Sequence, residues 1–122
     1  MRTPTKRLVL LVDDDESLRR ALARTIRLAG FDVEAFPSAE TLLARGTAGA
    51  GCLILDVDLP GMDGLECKRA LEMGGRDLAT VFITALPSSE VNEMLAALGP
   101  VAVLYKPFKK DDLSAAIGEA FA

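Results

Sequence analysis

Histidine is absent from all 122 residues of the chain, and this absence excludes several kinds of chemistry. A Ser-His-Asp triad, a Cys-His pair, a zinc site with histidine ligands and a carrier phosphorylated on histidine all need the imidazole ring. A metal site in this chain would therefore have to use oxygen ligands. Oxygen ligands favour magnesium, manganese or calcium.

Positive charge is also scarce, since 14 lysines and arginines face 18 acidic residues and the net charge is −4 at pH 7. Such a chain lacks the basic field that attracts a phosphate backbone, so we do not expect it to bind nucleic acid directly. Its two cysteines, Cys52 and Cys67, form no CxxC motif and lie among apolar neighbours. We interpret them as buried free thiols in a reducing cytosol.

Long apolar runs are missing as well. Residues 1–7 are basic like the start of a signal peptide, but the apolar run after them covers only residues 8–12 and three aspartates follow. That run is too short for a signal peptide or a membrane span, so we expect a cytoplasmic protein without a membrane segment. A glycine-rich loop for nucleotide phosphates is also absent.

The most informative stretch is an apolar run at residues 52–55 that ends in Asp56 and leads into the turn-rich sequence Pro60-Gly-Met-Asp-Gly64. Such a run is typical of a strand buried on both faces. Asp56 would then lie at the carboxyl end of that strand, where open α/β sheets bind their ligands. We expect Asp56 to be a nucleophile that takes up a phosphoryl group beside a divalent metal.

Strands and helices alternate strictly along the whole chain. This alternation predicts a single doubly wound α/β domain, with a five-stranded parallel sheet and helices on both faces. Strand two ends without a polar group and is expected at the edge of the sheet. The predicted strands cover residues 8–12, 31–36, 52–56, 79–84 and 101–105, and the predicted helices cover residues 13–29, 39–44, 65–73, 87–98 and 110–121.

Helical spacing and capping residues define the helices further. Asp15, Ser38 and Asp63 are the expected N-caps of the first three helices. The first helix is amphipathic, with an apolar face toward the core and arginines toward solvent. The core-facing residues are Leu18, Ala21, Leu22, Thr25, Ile26 and Ala29, and the solvated residues are Arg19, Arg20, Arg24 and Arg27.

Polar side chains follow four of the five predicted strands: Asp13 and Asp14, Asp56, Thr84 and Lys106. Three carboxylates brought together repel one another, and a divalent cation removes that repulsion. The same cation would neutralise charge on an incoming phosphoryl group. Asp56 remains as the covalent nucleophile, while Lys106 and Thr84 offer hydrogen bonds to phosphoryl oxygens.

Four motifs together resemble the receiver domain of bacterial two-component response regulators. They are Val12-Asp13-Asp14, Asp56-x-x-x-Pro60-Gly-Met-Asp-Gly64, Thr84-Ala85 and Lys106-Pro107-Phe108, and they extend over essentially the whole chain. The resemblance implies a flavodoxin-like fold with strand order 2-1-3-4-5, which agrees with strand two at the edge. It also implies that residues 1–122 form one receiver domain, and we expect no output domain in this chain.

The resemblance implies a Mg²⁺ site with defined ligands. Asp14 and Asp56 would bind the ion by side chain, Asp58 by its backbone carbonyl, and Asp13 through a metal-bound water. The side chain of Asp58 is then left to solvent, and Gly61 and Gly64 are expected to serve the backbone geometry of the loop.

The resemblance also implies a function. Asp56 would accept a phosphoryl group from a phosphohistidine on a sensor histidine kinase or a phosphotransfer protein, with Thr84 and Lys106 contacting the phosphoryl oxygens. The Lys106-Pro107 peptide would be cis. The domain would catalyse only its own phosphorylation and dephosphorylation, and would switch partner binding through helix four, strand five and helix five. A homodimer is left open.

One departure concerns the switch itself. The family carries Tyr or Phe three residues before the lysine, and here that position is Val103. Tyr105 points to the same side of the strand but lies nearer the mouth of the fold. We therefore expect activation to depend mainly on Thr84 and the loop after it.

Two alternative functions remain open. A phosphatase of the haloacid-dehalogenase type would use Asp56 and Asp58 as nucleophile and acid-base pair, but Leu59-Pro60 does not continue that motif and Asp13-Asp14 would have no role. A pseudo-receiver would be a binding module with an unused pocket, although no pocket residue is missing.

Overall fold

The computed structural model describes residues 7–85 and 88–122. The basic residues 1–6 and Pro87, at the start of the predicted fourth helix, lie outside this part of the chain. The strands are β1 (Leu8–Val12), β2 (Asp32–Phe36), β3 (Ala50–Asp56), β4 (Thr80–Thr84) and β5 (Ala102–Tyr105). The helices are α1 (Glu16–Leu28), α2 (Ala39–Arg45), α3 (Gly64–Met73), α4 (Ser89–Ala97) and α5 (Lys110–Ala120).

The five strands form one parallel sheet in the order β2-β1-β3-β4-β5, which confirms the predicted topology. Strand β2 lies at the edge, and three of its five residues are exposed. The central strands β3 and β4 are almost completely buried. Because all strands run the same way, their carboxyl ends meet at one end of the molecule.

The helices cover both faces of the sheet. Helices α1 and α5 pack on one face, where Ile26, Leu113 and Ile117 contact the apolar side chains of β1, β3 and β4. Helices α2, α3 and α4 pack on the other face, for instance through Leu42 and Leu71. Full burial of each such side chain contributes about 1.5–3 kcal/mol to the stability of the folded state.

The predicted inner face of α1 is correct in part. Leu22 and Ile26 are buried as expected, but the third buried residue is Ala23, and Ala21 and Ala29 are exposed. Ala23 lies three residues before Ile26 and therefore on the same side of the helix, whereas Ala21 is turned away. The apolar stripe is shifted toward Ala23.

Side-chain caps mark where four of the five helices begin. The predicted caps are confirmed: Asp15, Ser38 and Asp63 each accept a hydrogen bond from the backbone N–H three residues further on. Ser88 caps α4 in the same way.

The lysine of α3, Lys68, is buried and connects α3 to the start of β4. It donates to the Leu78 carbonyl at 2.8 Å and to the Thr80 hydroxyl at 2.9 Å.

Strand β3 begins two residues earlier than predicted, at Ala50. Ala50 pairs with Leu8, and the register between β1 and β3 shifts directly after that pair. The glycine-rich segment therefore joins the sheet through an irregular pairing that the apolar pattern does not show.

Among the described residues, none of the helices combines the length and the apolar character that a membrane span requires.

Candidate functional site

The carboxyl ends of β1 and β3 bring three aspartates together. Asp13 follows β1 directly and Asp56 is the last residue of β3, and both are buried, whereas Asp14 is exposed. Carboxylate oxygens of the three residues lie within 4.8 Å of one another. The predicted acidic cluster is thus present at the predicted end of the sheet.

Asp13 is held in an orientation that leaves one oxygen without a hydrogen bond. Its Oδ1 accepts a hydrogen bond from the Asp15 backbone N–H at 2.9 Å, whereas its buried Oδ2 has no hydrogen-bond partner among the described residues. Burial raises the pKa of Asp13; the Asp15 N–H and Lys106 oppose that rise, and the charge of Asp56 adds to it. A buried oxygen that accepts no hydrogen bond and lies beside two further carboxylates fits a hard divalent cation such as Mg²⁺.

Lys106 connects the end of β5 to this cluster. Its Nζ donates to Asp56 Oδ2 at 3.0 Å and lies 3.3 Å from Asp13 Oδ2. Burial alone would lower the pKa of the Lys106 ammonium, but the hydrogen bond to Asp56 and the two nearby carboxylates outweigh it, so the pKa is raised. Lys106 is therefore a fixed positive charge at the site. The Lys106-Pro107 peptide is cis, as expected.

Asp56 is fixed at both oxygens. Its Oδ1 accepts a hydrogen bond from the Asp58 backbone N–H at 2.9 Å, and its Oδ2 accepts the one from Lys106. The backbone after Asp56 continues the sheet, because the Val57 N–H donates to the Ile83 carbonyl. The Asp56 carboxylate is thus held by the backbone after β3 and by the lysine after β5, and the backbone beside it is bonded to β4.

Thr84 ends β4, is fully buried, and lies next to the residue that pairs with Asp56 in the sheet. Its hydroxyl hydrogen-bonds to Asp58 Oδ2 at 3.2 Å, and the Ala85 backbone N–H donates to the same oxygen at 3.1 Å. Asp58 is exposed, as predicted, but its carboxylate also makes these two hydrogen bonds, which the sequence does not indicate. The carboxylate bends back across the mouth of the site to β4.

Arg19 and Gly64 also shape the site, and the contact of Arg19 is one that the sequence analysis did not predict. Arg19, predicted to face solvent, is half-buried, and its Nη1 donates to the Asp13 carbonyl at 2.9 Å. Gly64 lets α3 begin directly against β3, because a Cβ there would collide with the Asp56 carbonyl oxygen and lie 2.9 Å from Val57 Cα. Gly61 has a φ of +72°, so both loop glycines serve the backbone, as predicted.

The two residues of β5 considered for the switch have different surroundings. Val103 is half-buried and packs against the core on the face of α2, α3 and α4. Tyr105 is 41% exposed, and its hydroxyl donates to Asn92 Oδ1 of α4 at 2.8 Å. The aromatic ring of β5 is therefore tethered to α4 from the outside.

Comparison with known proteins identifies the same type of domain. The family model of the response regulator receiver domain matches residues 9–118. The response regulator protein TmoT of Ectopseudomonas mendocina is 34% identical over 114 residues, which are 93% of this chain and 52% of TmoT. The chain spans about half the length of the first curated relatives that it matches.

Solved structures give the same result at the level of the fold. The chemotaxis protein CheY4 of Vibrio cholerae superimposes with a TM-score of 0.86 at 29% identity, covering 94% of this chain and 98% of CheY4. A response regulator receiver protein from Pseudomonas putida superimposes with a TM-score of 0.88 at 25% identity, covering 96% of this chain and 99% of the other.

Proposed function

The chain belongs to the response regulator receiver domain family of two-component signal transduction, and from this membership we propose that Asp56 is its phosphoacceptor. The observation that carries the proposal is the position of Asp56. It is a buried carboxylate at the end of a central strand, held by a lysine 3.0 Å away and grouped with two further aspartates.

The proposed step is a displacement at phosphorus. An Oδ atom of Asp56 attacks the phosphorus of the donor and forms a new P–O bond. The bond between phosphorus and its former carrier breaks, which is a P–N bond in a phosphohistidine and a P–O bond in acetyl phosphate. The leaving group departs with the electron pair of that bond.

Lys106 and Thr84 have separate roles in this proposal. Lys106 already pairs with Asp56 Oδ2, so its ammonium lies close enough to pair with an oxygen of the phosphoryl group once that group is attached to Asp56. Thr84 offers a hydroxyl from the neighbouring strand end. Both groups stabilise charge that develops during transfer.

The donor set fits Mg²⁺. Asp14 and Asp56 would hold the ion by side chain, Asp58 would hold it by its backbone carbonyl, and Asp13 through a water. When bound, the ion supplies positive charge to the carboxylates and to the phosphoryl oxygens. The buried Oδ2 of Asp13, which has no hydrogen-bond partner among the described residues, supports this assignment.

Partners follow from the class of reaction. We propose that a sensor histidine kinase or a phosphotransfer protein supplies the phosphoryl group, and that α4, β5 and α5 change their binding of a downstream protein or output domain. The first curated relatives are about twice as long as this chain, so the output of the whole protein stays a proposal. A homodimer through the same surface is one form that the output could take.

The proposal is tested by intact mass after incubation with acetyl phosphate and Mg²⁺. We expect the wild type to gain one phosphoryl group, and Asp56→Asn, which keeps the shape of the side chain, to gain none. Circular dichroism of both proteins checks that the fold is retained. A folded wild type that gains no mass would contradict the proposal and favour a pseudo-receiver.

The same incubation separates a switch from a phosphatase. We propose that the domain catalyses only its own phosphorylation and dephosphorylation. The contacts of Asp58 support this, because its carboxylate is engaged with Thr84 and Ala85 instead of being free for acid-base work. Repeated turnover of a small phosphomonoester, lost in Asp56→Asn, would overturn the assignment.

A further inference from the structure

The Asp58 carboxylate occupies both donors at the end of β4. Its Oδ2 is hydrogen-bonded to the Thr84 hydroxyl at 3.2 Å and to the Ala85 backbone N–H at 3.1 Å. Thr84 is the group assigned above to a phosphoryl oxygen, and Ala85 carries the next backbone donor along the chain. Both donors are therefore bound to an anion before any phosphoryl group is present.

Asp58 is fixed at its other end as well. Its backbone N–H donates to Asp56 Oδ1 at 2.9 Å. A single residue thus contacts the proposed phosphoacceptor through its main chain and the end of β4 through its side chain. The Thr84 side chain is fully buried, so its hydroxyl has few other partners to choose from.

A phosphoryl group on Asp56 would compete directly with this carboxylate. It brings nearly two negative charges and three strong acceptor oxygens to the same place. Thr84 has one hydroxyl proton and Ala85 has one N–H, so neither can serve two anions fully. Repulsion between the carboxylate and the phosphoryl group acts in the same direction.

We propose that Asp58 is an internal competing anion that holds Thr84 and Ala85 in the unphosphorylated arrangement and must release both before they bind the phosphoryl group. The inference rests on the proposed function of Asp56. Its consequence is a threshold for phosphorylation: a higher concentration of phosphoryl donor is needed, because the hydrogen bonds of Thr84 and Ala85 to Asp58 must be broken first. The backbone carbonyl of Asp58, the proposed metal ligand, is not changed by substitution of the side chain.

The threshold is measured as the acetyl phosphate concentration that gives half-maximal phosphorylation, at Mg²⁺ that saturates each protein. Asp58→Ala should lower this concentration about fivefold, since a hydrogen bond to a charged but partly exposed group is of modest strength. Asp58→Asn keeps an acceptor oxygen without the charge and should fall between the two. Asp77→Asn, an exposed acid in the loop before β4, is the matched control for loss of one negative charge.

A second measurement reports the contact itself. A hydrogen bond to a carboxylate moves an amide proton downfield in NMR, so the Ala85 amide of the unphosphorylated protein should move upfield in Asp58→Ala and stay in place in Asp77→Asn. Equal half-maximal concentrations in Asp58→Ala and Asp77→Asn would overturn the inference, as would an unchanged Ala85 amide. A wild type that is never phosphorylated would refute the proposed function and this role together, whatever the Ala85 amide does.

Discussion

Gly64, the first residue of α3, lies directly against the backbone of Asp56, the proposed phosphoacceptor. Its N–H donates to the Val57 carbonyl, and the place of its missing Cβ is taken by the backbone of Asp56 and Val57. The geometry of Asp56 therefore depends on a residue without any side chain. Backbone contacts of this kind cannot relax by a change of rotamer.

Gly64→Ala should destabilise the protein by about 1–3 kcal/mol, because the added methyl group forces the β3 end and the α3 start apart. It should also slow phosphorylation of Asp56 by acetyl phosphate. Gly118→Ala in α5 is the matched control: nothing lies within 4 Å of its added Cβ, and alanine should stabilise the helix by about 0.5–1 kcal/mol. Urea unfolding and intact mass measure the two effects. Equal unfolding of Gly64→Ala and the wild type would contradict the close approach.

At this scale the sequence predicts which residues collect but not what each side chain contacts. Asp13, Asp56 and Lys106 were predicted together because each follows a strand, and parallel strands share one end. The orientation of Asp58 and of Arg19 depends on neighbours distant in sequence: Asp58 reaches Thr84 and Ala85, and Arg19 reaches the Asp13 carbonyl. Hydropathy and spacing carry no information about such bonds.

At the scale of elements, an exposed hydrogen bond from the Tyr105 hydroxyl to Asn92 connects β5 to α4. Thr84 and Ala85 precede α4 in the chain, so their movement toward a phosphoryl group would be expected to shift the start of that helix. Asn92 lies within the first part of α4 and would move with it. The tether is therefore a place where phosphorylation of Asp56 could become visible at the surface.

Phosphorylation should change the tyrosine fluorescence of the wild type. The chain contains one tyrosine and no tryptophan, so this emission reports Tyr105 alone. We expect acetyl phosphate with Mg²⁺ to alter the emission of the wild type and to leave Asp56→Asn unchanged. Asn92→Ala, which removes the acceptor, should alter the emission before phosphorylation and reduce the further change. An identical spectrum before and after full phosphorylation of the wild type would rule out this coupling.

The elements themselves were largely predictable from the sequence. Apolar runs predict β1 and β4, and capping residues such as Ser38 and Asp63 fix helix starts through local hydrogen bonds. The start of β3 was missed because Ala50 joins the sheet through tertiary pairing with Leu8. The prediction for α1 missed the buried Ala23, because alanine is small enough to occur on either side of a helix.

At the scale of the whole molecule, the fold concentrates negative charge at one end of the sheet. The neutralising side chain within the group is Lys106, and Asp13 keeps a buried oxygen without a hydrogen bond. Because folding raises the pKa of Asp13, the ionised carboxylate opposes folding at pH values above that pKa. This part of the molecule therefore works against stability when no cation is bound.

Mg²⁺ should consequently stabilise the folded protein. Binding at a hundred times Kd adds about 2.7 kcal/mol, which for a domain of this size raises Tm by on the order of 10 °C. Asp14→Asn should lose most of this rise, because Asp14 is an exposed proposed ligand whose loss does not disturb the core. Sodium chloride at equal ionic strength is the control for screening. Differential scanning fluorimetry with an added dye measures Tm for the wild type with Mg²⁺, for Asp14→Asn with Mg²⁺ and for the wild type in sodium chloride.

The stabilisation by Mg²⁺ should depend on pH through Asp13. As the pH falls through the raised pKa of Asp13, its carboxylate gains a proton, the repulsion with Asp56 disappears and the metal-free protein loses a source of instability. The same protonation weakens the binding of Mg²⁺, because it removes a negative charge beside the ion and leaves a poorer acceptor for the metal-bound water. The rise in Tm caused by Mg²⁺ should therefore shrink as the pH falls through that window. A rise that is independent of pH there would mean that the ion stabilises the protein at another place.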